Sequence, residues 1–117
     1  MKKENIIETK SKVFAINIVR LVQYLQYDKR EYVLSKQLLR SATSIGANVK
    51  EALRGQSKAD FISKMSIALK ESSETEYWLE LLHESSYLSD DEFESVYPSC
   101  KEILRILMSI VKTSRNE

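Results

Sequence analysis

The chain has 117 residues, 43% hydrophobic and 30% charged, which is enough to bury one continuous core as a single domain over residues 1–117. Two glycines and one proline are too few for the turns of a multi-stranded sheet, which favours an all-α protein. The single cysteine, Cys100, excludes an intrachain disulfide and a cysteine-based metal site. We expect no signal peptide and no membrane span, and therefore a soluble, cytoplasmic protein.

The formal net charge of +1 conceals an uneven distribution along the chain. Residues 1–56 contain eleven Lys and Arg against five Asp and Glu, whereas residues 57–117 contain seven against twelve. This polarity can reflect solvated faces of different sign, head-to-tail association between copies of the chain, or a basic surface directed at an acidic partner. Charge alone does not choose between these interpretations.

The first predicted helix covers residues 6–28 and has more apolar surface than one bundle contact requires. Its core stripe consists of Ile7, Phe14, Ile18, Leu21 and Leu25. Further apolar side chains spread around the helix: Val13, Ile16, Val19, Val22 and Tyr24. Such a helix is either central in its bundle or covered on a second side by another subunit. The short polar connector at residues 28–30 predicts that the next helix returns antiparallel to it.

The second predicted helix, residues 32–54, has two contrasting faces. Its core face is formed by Leu34, Leu38, Ala42, Ile45, Val49 and Ala52, with Leu53 at the edge. On the opposite face, a basic stripe consists of Lys36, Arg40, Lys50 and Arg54. Between the two faces runs a flank of mostly short polar side chains: Gln37, Ser41, Ser44, Asn48 and Glu51. Small residues on this flank allow another helix to approach closely.

The basic stripe is the strongest functional signal in the sequence. Its four cations span roughly 27 Å at 1.5 Å per residue, a length that suits contacts along a phosphate backbone. Together with Lys10 and Lys12 of the first helix, they form the candidate nucleic-acid surface. Two other interpretations stay open, namely an ordinary solvated face and pairing with the acidic third helix of a neighbouring subunit.

The third predicted helix covers residues 58–88. Gly55 is expected to form a left-handed cap on the preceding helix, and Ser57 with Asp60 approximates a capping box. The core line contains Phe61, Met65, Ala68, Ser72, Thr75, Leu79 and Leu82. On the other side of the C-terminal half lies an apolar patch, typical of interface cores, formed by Tyr77, Trp78, Leu81 and Leu88. We predict that this patch and surplus apolar residues of the first helix, such as Ile16 and Val19, form a homo-oligomer.

The fourth predicted helix covers residues 90–113 and begins with a capping box of Ser89 and Glu92. Its core line contains Phe93, Val96, Cys100, Ile103, Leu107 and Ile110. Because Pro98 has no amide hydrogen and disfavours helical geometry at the residue before it, we expect a kink or short break there. The chain is expected to fray after Ser114. Four amphipathic helices with short connectors predict an antiparallel up-down-up-down four-helix bundle.

Side chains that could support catalysis or bind a cofactor are scarce. Glu80 and His83 form one E-x-x-H pattern, but a two-metal carboxylate site needs two, and the chain has a single histidine. Glu76 and Glu80 lie one turn apart on what we expect to be a solvated acidic side, without a cleft for a carboxylate pair. Cys100 falls on an apolar stripe and is interpreted as a core residue. We therefore expect no enzymatic activity, no metal and no cofactor.

The segment from Gln37 to Ala52 resembles the signature of the four-helix bundle proteins encoded in intervening sequences of bacterial large-subunit ribosomal RNA genes. The matching positions are Gln37, Leu38, Arg40, Ala42, Ser44, Ile45, Asn48 and Glu51, and a second match in the third helix includes Phe61, Ile67, Ala68, Glu74 and Leu79. The chain departs from the pattern at Lys70 and Glu71, at Gly46 and at Leu53, where the family usually has Gly-Ser, Pro and Gly. That family is similar to the accessory variability proteins of diversity-generating retroelements.

This resemblance implies a non-enzymatic homo-oligomer, with a pentamer as the expected stoichiometry, that contacts RNA or DNA and assists a protein partner such as a reverse transcriptase. Two hypotheses about function follow. In the first, the chain is an accessory factor that binds RNA or DNA through the basic stripe, and binding weakens steeply with salt. In the second, it is a structural adaptor that binds protein partners without nucleic acid.

Overall fold

The computed structural model describes residues 3–117, with side chains from residue 6 onward, and in that range the chain forms four helices and no strands. They are α1 (Lys3–Tyr27), α2 (Leu34–Leu53), α3 (Lys58–Glu84) and α4 (Asp90–Arg115). Both α1 and α3 pack against α2 and α4, so the four helices form a ring around the core. The predicted antiparallel up-down-up-down bundle is confirmed, and it measures 46 × 21 × 20 Å.

One continuous core runs through the bundle, and it is formed by the stripes that helical spacing identifies. Its largest buried side chains are Phe14, Ile7, Ile18, Leu25, Leu38, Ile45, Met65, Leu79, Leu82, Leu88, Ile103 and Leu107. Burial of each such side chain contributes about 1.5–3 kcal/mol of hydrophobic free energy. Val22, which we expected among the surplus residues of α1, is only 3% exposed and belongs to this core.

The connector between α1 and α2 contains a buried carboxylate that caps α2. Arg30 adopts a left-handed conformation, with φ 57°, and turns the chain back towards the core. The carboxylate of Glu31 then accepts hydrogen bonds from the amides of Val33, Leu34 and Ser35 at 3.0, 3.0 and 2.6 Å. A helix start leaves such amides without helical partners, and a negative charge there is favourable. This cap fixes the beginning of α2 at Leu34, two residues later than predicted.

Gly55 follows α2 for a steric reason and not for a conformational one. No glycine among the described residues has a positive φ, so the predicted left-handed cap is wrong. A Cβ atom at Gly55 would lie 3.2 Å from the carbonyl oxygen of Ala52 and 3.3 Å from Cβ of Asp60, which is tighter than an ordinary contact. Gly55 therefore allows the first turn of α3 to approach the end of α2. Ser57 caps α3 as predicted, since its hydroxyl accepts from the Asp60 amide at 3.1 Å.

The turn between α3 and α4 begins earlier than predicted. Helix α3 ends at Glu84, and Ser86, with φ 70°, reverses the chain direction. Helix α4 then begins with the predicted capping box, in which the Ser89 amide donates to Glu92 at 2.8 Å and the Glu92 amide donates to the Ser89 hydroxyl at 3.1 Å. Because α3 ends at Glu84, Leu88 lies in the turn and not on the helix.

Helix α4 is continuous from Asp90 to Arg115, so of the kink or short break expected at Pro98, the break is absent. Pro98 is exposed, and the Glu94 carbonyl that loses its amide partner lies on the same solvated side, where water can replace it. Towards the C-terminus, the helix extends one residue beyond Ser114. Ser114 is buried and the helix continues to Arg115, whose guanidinium donates to the hydroxyl of Ser66 at 3.3 Å.

Candidate nucleic-acid and subunit surfaces

The four cations of the basic stripe are all exposed, three on α2 and Arg54 directly after it, but their neighbours differ. Arg40 donates to two carboxylates of α3, Glu71 at 3.2 Å and Glu74 at a shorter distance. The hydrogen bond from Arg40 holds the pKa of Glu74 below its usual range, because it stabilises the ionised carboxylate. The Arg40 side chain is half exposed, yet its charge is already matched within its own chain.

Arg40 belongs to a polar network between α2 and α3, which we call the α2–α3 clamp; it consists of Arg40, Ser41, Glu71, Glu74, Thr75 and Trp78. The indole of Trp78 donates to Glu74 at 3.2 Å. Beside this contact, the fully buried hydroxyls of Ser41 and Thr75 lie 2.9 Å apart. Nearer the end of α2, Glu51 pairs with Lys64 at 3.2 Å. Signature residues Arg40, Glu51 and Glu74 therefore join two helices of one chain.

The other cations of the stripe have no comparable partner. Of the six residues in the candidate nucleic-acid surface, four are exposed and have no carboxylate of the described chain within ion-pair distance: Lys12, Lys36, Lys50 and Arg54. Lys10, in contrast, pairs with Glu102 of α4 at 3.1 Å. The candidate surface thus contains two matched charges, on Lys10 and Arg40, and four available ones.

Exposed aliphatic side chains form a line along α1, which we call the α1 ridge: Val13, Ile16 and Val19. They leave 52%, 45% and 39% of their surfaces exposed. Val13 and Ile16 also border a groove of about 560 Å³ between α1 and α2, where Gly46 and Ala47 form part of the opposite wall. Two of the predicted interface residues, Ile16 and Val19, lie on this ridge. Contiguous exposed apolar surface on a small protein is typical of an interaction site.

The apolar patch predicted on α3 is smaller than expected. Tyr77 is 56% exposed, and Leu81 is partly buried. Trp78 packs partly against the core with its indole nitrogen engaged by Glu74, so it is not a freely exposed ring. Leu88 is 2% exposed, and its assignment to a surface patch is wrong. Because α3 ends before it, the turn directs Leu88 into the core.

A stack of rings joins the end of α3 to the first turns of α4. The ring of His83 stacks on Phe93 with centroids 4.1 Å apart, and Phe93 stacks on Tyr97 at 4.3 Å. His83 Nε2 lies 2.7 Å from Asp90 Oδ1. The Tyr97 hydroxyl donates to Glu80, and this hydrogen bond raises the pKa of Tyr97 above its ordinary value. His83 and Glu80, which form the E-x-x-H pattern, are therefore engaged in packing α3 against α4.

Glu76 and Cys100 are likewise engaged in the fold. The carboxylate of Glu76, expected on a solvated side, pairs with Lys101 of α4 at 2.9 Å. Cys100 is fully buried, as predicted, and burial raises the pKa of its thiol to about 12, which keeps it protonated at neutral pH. Over the described residues, no group of three or more His, Cys, Asp or Glu could hold a metal ion. None of the helices in this range has the length and apolarity that crossing a membrane requires.

Sequence reasoning missed the partners of Arg40 and the stack of rings. A signal existed for both, since Glu71 and Glu74 are one turn apart on α3, and Phe93 and Tyr97 are one turn apart on α4. Such spacing shows that two side chains share a face of one helix. It does not show which residue of the next helix lies at the same height, because that depends on the axial offset between helices.

Comparison with known proteins identifies a matching family and similar solved structures. The sequence profile of the 23S rRNA-intervening sequence protein family matches residues 3–109. Among solved structures, the chain is similar to a protein of unknown function from the S23 ribosomal protein family of Bacteroides thetaiotaomicron, with 50% sequence identity and a TM-score of 0.92 over 95% of this chain and 99% of that chain. No match was found among curated proteins.

Proposed function

The chain belongs to the 23S rRNA-intervening sequence protein family, and from that premise we propose that it is a non-enzymatic accessory factor that binds RNA or DNA and acts as a homo-oligomer. One observation carries the nucleic-acid part of the proposal. Lys50 near the end of α2 and Arg54 directly after it are exposed and lack carboxylate partners in the described chain, so phosphate oxygens can bind them without first displacing an ion pair.

The non-enzymatic part of the proposal is supported by how the reactive side chains are used. His83 stacks on Phe93 and contacts Asp90, and the protonated Cys100 thiol lies inside the core. Both side chains thus have packing partners within the chain. A cytoplasmic location is part of the same proposal, since nucleic acid of the cell is the expected partner.

A filter-binding titration with a structured RNA hairpin tests nucleic-acid binding. The double variant Lys50→Glu, Arg54→Glu should bind at least about tenfold more weakly at low salt, and log K should depend less steeply on log salt by about 2, because two phosphate contacts are lost. The matched control is Lys70→Glu, Arg105→Glu, which changes the net charge equally at exposed positions of α3 and α4 and should bind within about twofold of the unmodified protein. Equal losses in both variants, or no retention of RNA by the unmodified protein, would contradict the proposal.

Homo-oligomerisation is supported by the α1 ridge. Covering these side chains in a subunit contact would remove apolar surface from water, which stabilises association by about 25 cal/mol for each Å² buried. Light scattering should give a multiple of the 13.6 kDa chain mass, and the resemblance implies a pentamer. The variant Ile16→Lys, Val19→Lys should be monomeric with an unchanged helical circular-dichroism signal. Ile67→Lys, at a residue of similar exposure on α3, is the control. A monomeric mass for the unmodified protein at micromolar concentration would contradict the proposed homo-oligomer.

A structural adaptor that binds protein partners without nucleic acid is the second candidate function. One observation favours it: Lys10 and Arg40, two of the six candidate cations, are matched by carboxylates of the same chain. In this case, the α1 ridge and the exposed Tyr77 would contact proteins, of which a reverse transcriptase is the expected example. Added RNA should then change neither the oligomeric mass nor the binding of a protein partner, whereas the variant of the α1 ridge should weaken partner binding.

A further inference from the structure

We infer, resting on the proposed function, that the phosphate backbone of duplex nucleic acid binds at one end of the bundle and not along the length of the α2 stripe. This basic end consists of residues 47–64 and 109–117, where α2 and α4 finish and α3 begins. Lys112 and Arg115 of α4, which are outside the predicted surface, thereby join Lys50 and Arg54 of α2. Lys36, at the other end of α2, is excluded from the contact.

The two ends of the bundle carry opposite side-chain charge. The basic end contains six Lys and Arg against three Asp and Glu, whereas the opposite end, residues 24–37 and 81–94, contains three against seven. Because two helices begin and two finish at each end, the helix dipoles largely cancel there and the side chains set the sign. The ends are separated by much of the 46 Å length, which is several times the Debye length of roughly 8 Å at physiological salt. A polyanion is therefore attracted to one end without being repelled by the other.

Helix α3 is flanked at the basic end by two shallow depressions, each bordered by two cations without a carboxylate partner in the described chain. The depression between α2 and α3 is also bordered by Asp60 and by Lys64, which pairs with Glu51. Lys50 and Arg54 border the depression of about 610 Å³ between α2 and α3, and Lys112 and Arg115 border the one of about 510 Å³ between α3 and α4. These four side chains are exposed, and no carboxylate within residues 6–117 pairs with them. The hydrogen bond from Arg115 to Ser66 places the end of α4 directly beside α3.

The two pairs of cations lie on the two sides of α3, so they can face different strands of a duplex. Neighbouring helix axes lie about 8–10 Å apart, so cations on the two sides of α3 are separated by up to the width of the bundle, 21 × 20 Å. A duplex of RNA or DNA presents the phosphates of two strands at its surface. One pair can therefore contact one strand while the other pair contacts the second strand.

The aromatic residues favour a duplex over a single strand as the ligand. Proteins that bind single strands stack bases on exposed aromatic rings. At the basic end, Phe61 is the one aromatic residue in the ranges that define it, and it is partly buried. The exposed rings of Tyr27, Tyr32 and Tyr87 all lie at the opposite, acidic end. Binding at the basic end therefore depends on phosphate contacts, which carry no base sequence information.

A charge-reversal experiment at the two ends tests this inference. In filter binding to an RNA duplex of about 20 base pairs, Lys112→Glu, Arg115→Glu should weaken binding at least about tenfold at low salt and make the salt dependence less steep by about 2. The matched control is Lys29→Glu, Lys36→Glu, which reverses two exposed lysines at the acidic end and should bind within about twofold of the unmodified protein. A DNA duplex should show the same pattern, and a single strand of equal length should bind more weakly. Circular dichroism verifies folding, with Lys112→Gln, Arg115→Gln as a milder pair.

Different results separate this inference from the proposed function. One outcome is that Lys50→Glu, Arg54→Glu weakens duplex binding while the α4 variant does not. That result would support the proposed contact through α2 but contradict the inference that Lys112 and Arg115 also bind phosphate. An equal loss from the control at the acidic end, or tighter binding of the single strand, also overturns it. If the unmodified protein retains neither duplex at low salt, the inference falls together with the proposed function.

Discussion

The first half of α2 and its last turn carry the same basic stripe but have different surroundings. In the first half, Glu31 caps the helix start, Ser41 meets Thr75 inside the bundle, and Arg40 bridges to α3. In the last turn, Lys50 and Arg54 extend into solvent without a carboxylate partner in the described chain. The helical wheel places these cations on one line. The availability of each charge is decided by the neighbouring helix.

This difference separates a residue's role in stability from its role in binding. The contacts of the first half stabilise the fold, so substitutions there should lower the free energy of unfolding. The last turn has few such contacts, so substitutions there should leave stability nearly unchanged and act on binding alone. Four variants test this difference: three at contacts of the first half, one of them at Thr75 on α3, and one in which both cations at the end of α2 are replaced.

The largest loss of stability is expected for Glu31→Ala. Three amides at the start of α2 lose their buried acceptor, which should lower the free energy of unfolding by about 2–3 kcal/mol in urea denaturation. Glu94→Ala, at an exposed residue of α4, is the control and should change it by less than about 0.5 kcal/mol. Equal effects of the two substitutions would show that the Glu31 carboxylate does not stabilise the start of α2.

Thr75→Val should have the next largest effect. It keeps the shape of the side chain but removes a buried hydroxyl that lies 2.9 Å from that of Ser41, at a cost of about 1–2 kcal/mol in unfolding free energy. The same substitution at the exposed Thr113 should cost less than about 0.5 kcal/mol. An unchanged urea midpoint for Thr75→Val would show that the hydroxyl pair does not stabilise the contact between α2 and α3.

Arg40→Ala should have a smaller effect that depends on pH. Because the pair is partly exposed, we expect a loss of no more than about 1 kcal/mol at pH 7. The pKa of Glu74 is lower in the folded chain than in the unfolded one, so the stabilisation is fully present above the unfolded value of roughly 4.3 and is lost as pH falls through the folded value. The difference between Arg40→Ala and unmodified protein should therefore vanish in strong acid. Lys36→Ala should show a small difference at every pH, and a pH-independent effect of Arg40→Ala would contradict the pairing.

Lys50→Ala combined with Arg54→Ala should have the smallest effect on stability. Neither cation bridges to a carboxylate of the described chain, so the free energy of unfolding should change by less than about 0.5 kcal/mol. Urea denaturation measures it under the conditions used for the other three substitutions. A loss of unfolding free energy as large as that of Arg40→Ala would contradict the expected difference in stability between the two regions of α2.

Helical periodicity was sufficient to predict the four helices and the core. Residues such as Leu38, Ile45 and Leu79 recur at spacings that only a buried helical face explains, and they are fully buried in the bundle. The exposed basic stripe followed from the same periodicity, since the face opposite a core stripe meets solvent. These features depend on one helix at a time.

The features that the sequence did not predict depend on how helices and turns meet. The pairing of Arg40 with Glu71 requires a particular axial offset between α2 and α3. The spacing of residues within one helix does not predict that offset. The Glu31 cap requires the left-handed conformation of Arg30, which a non-glycine residue adopts only when its surroundings favour it. Leu88 lies in the core because α3 ends at Glu84, and the ends of helices are poorly defined by sequence.

The position of Trp78 gives the protein a built-in optical reporter. It is the single tryptophan of the chain, its indole nitrogen donates to the carboxylate that Arg40 binds, and its ring lies 5.2 Å from that of Tyr77. Indole emission shifts to longer wavelength when water reaches the ring. Local separation of α3 from α2 should therefore be visible as a spectral change at one known position, even while the helices themselves stay intact.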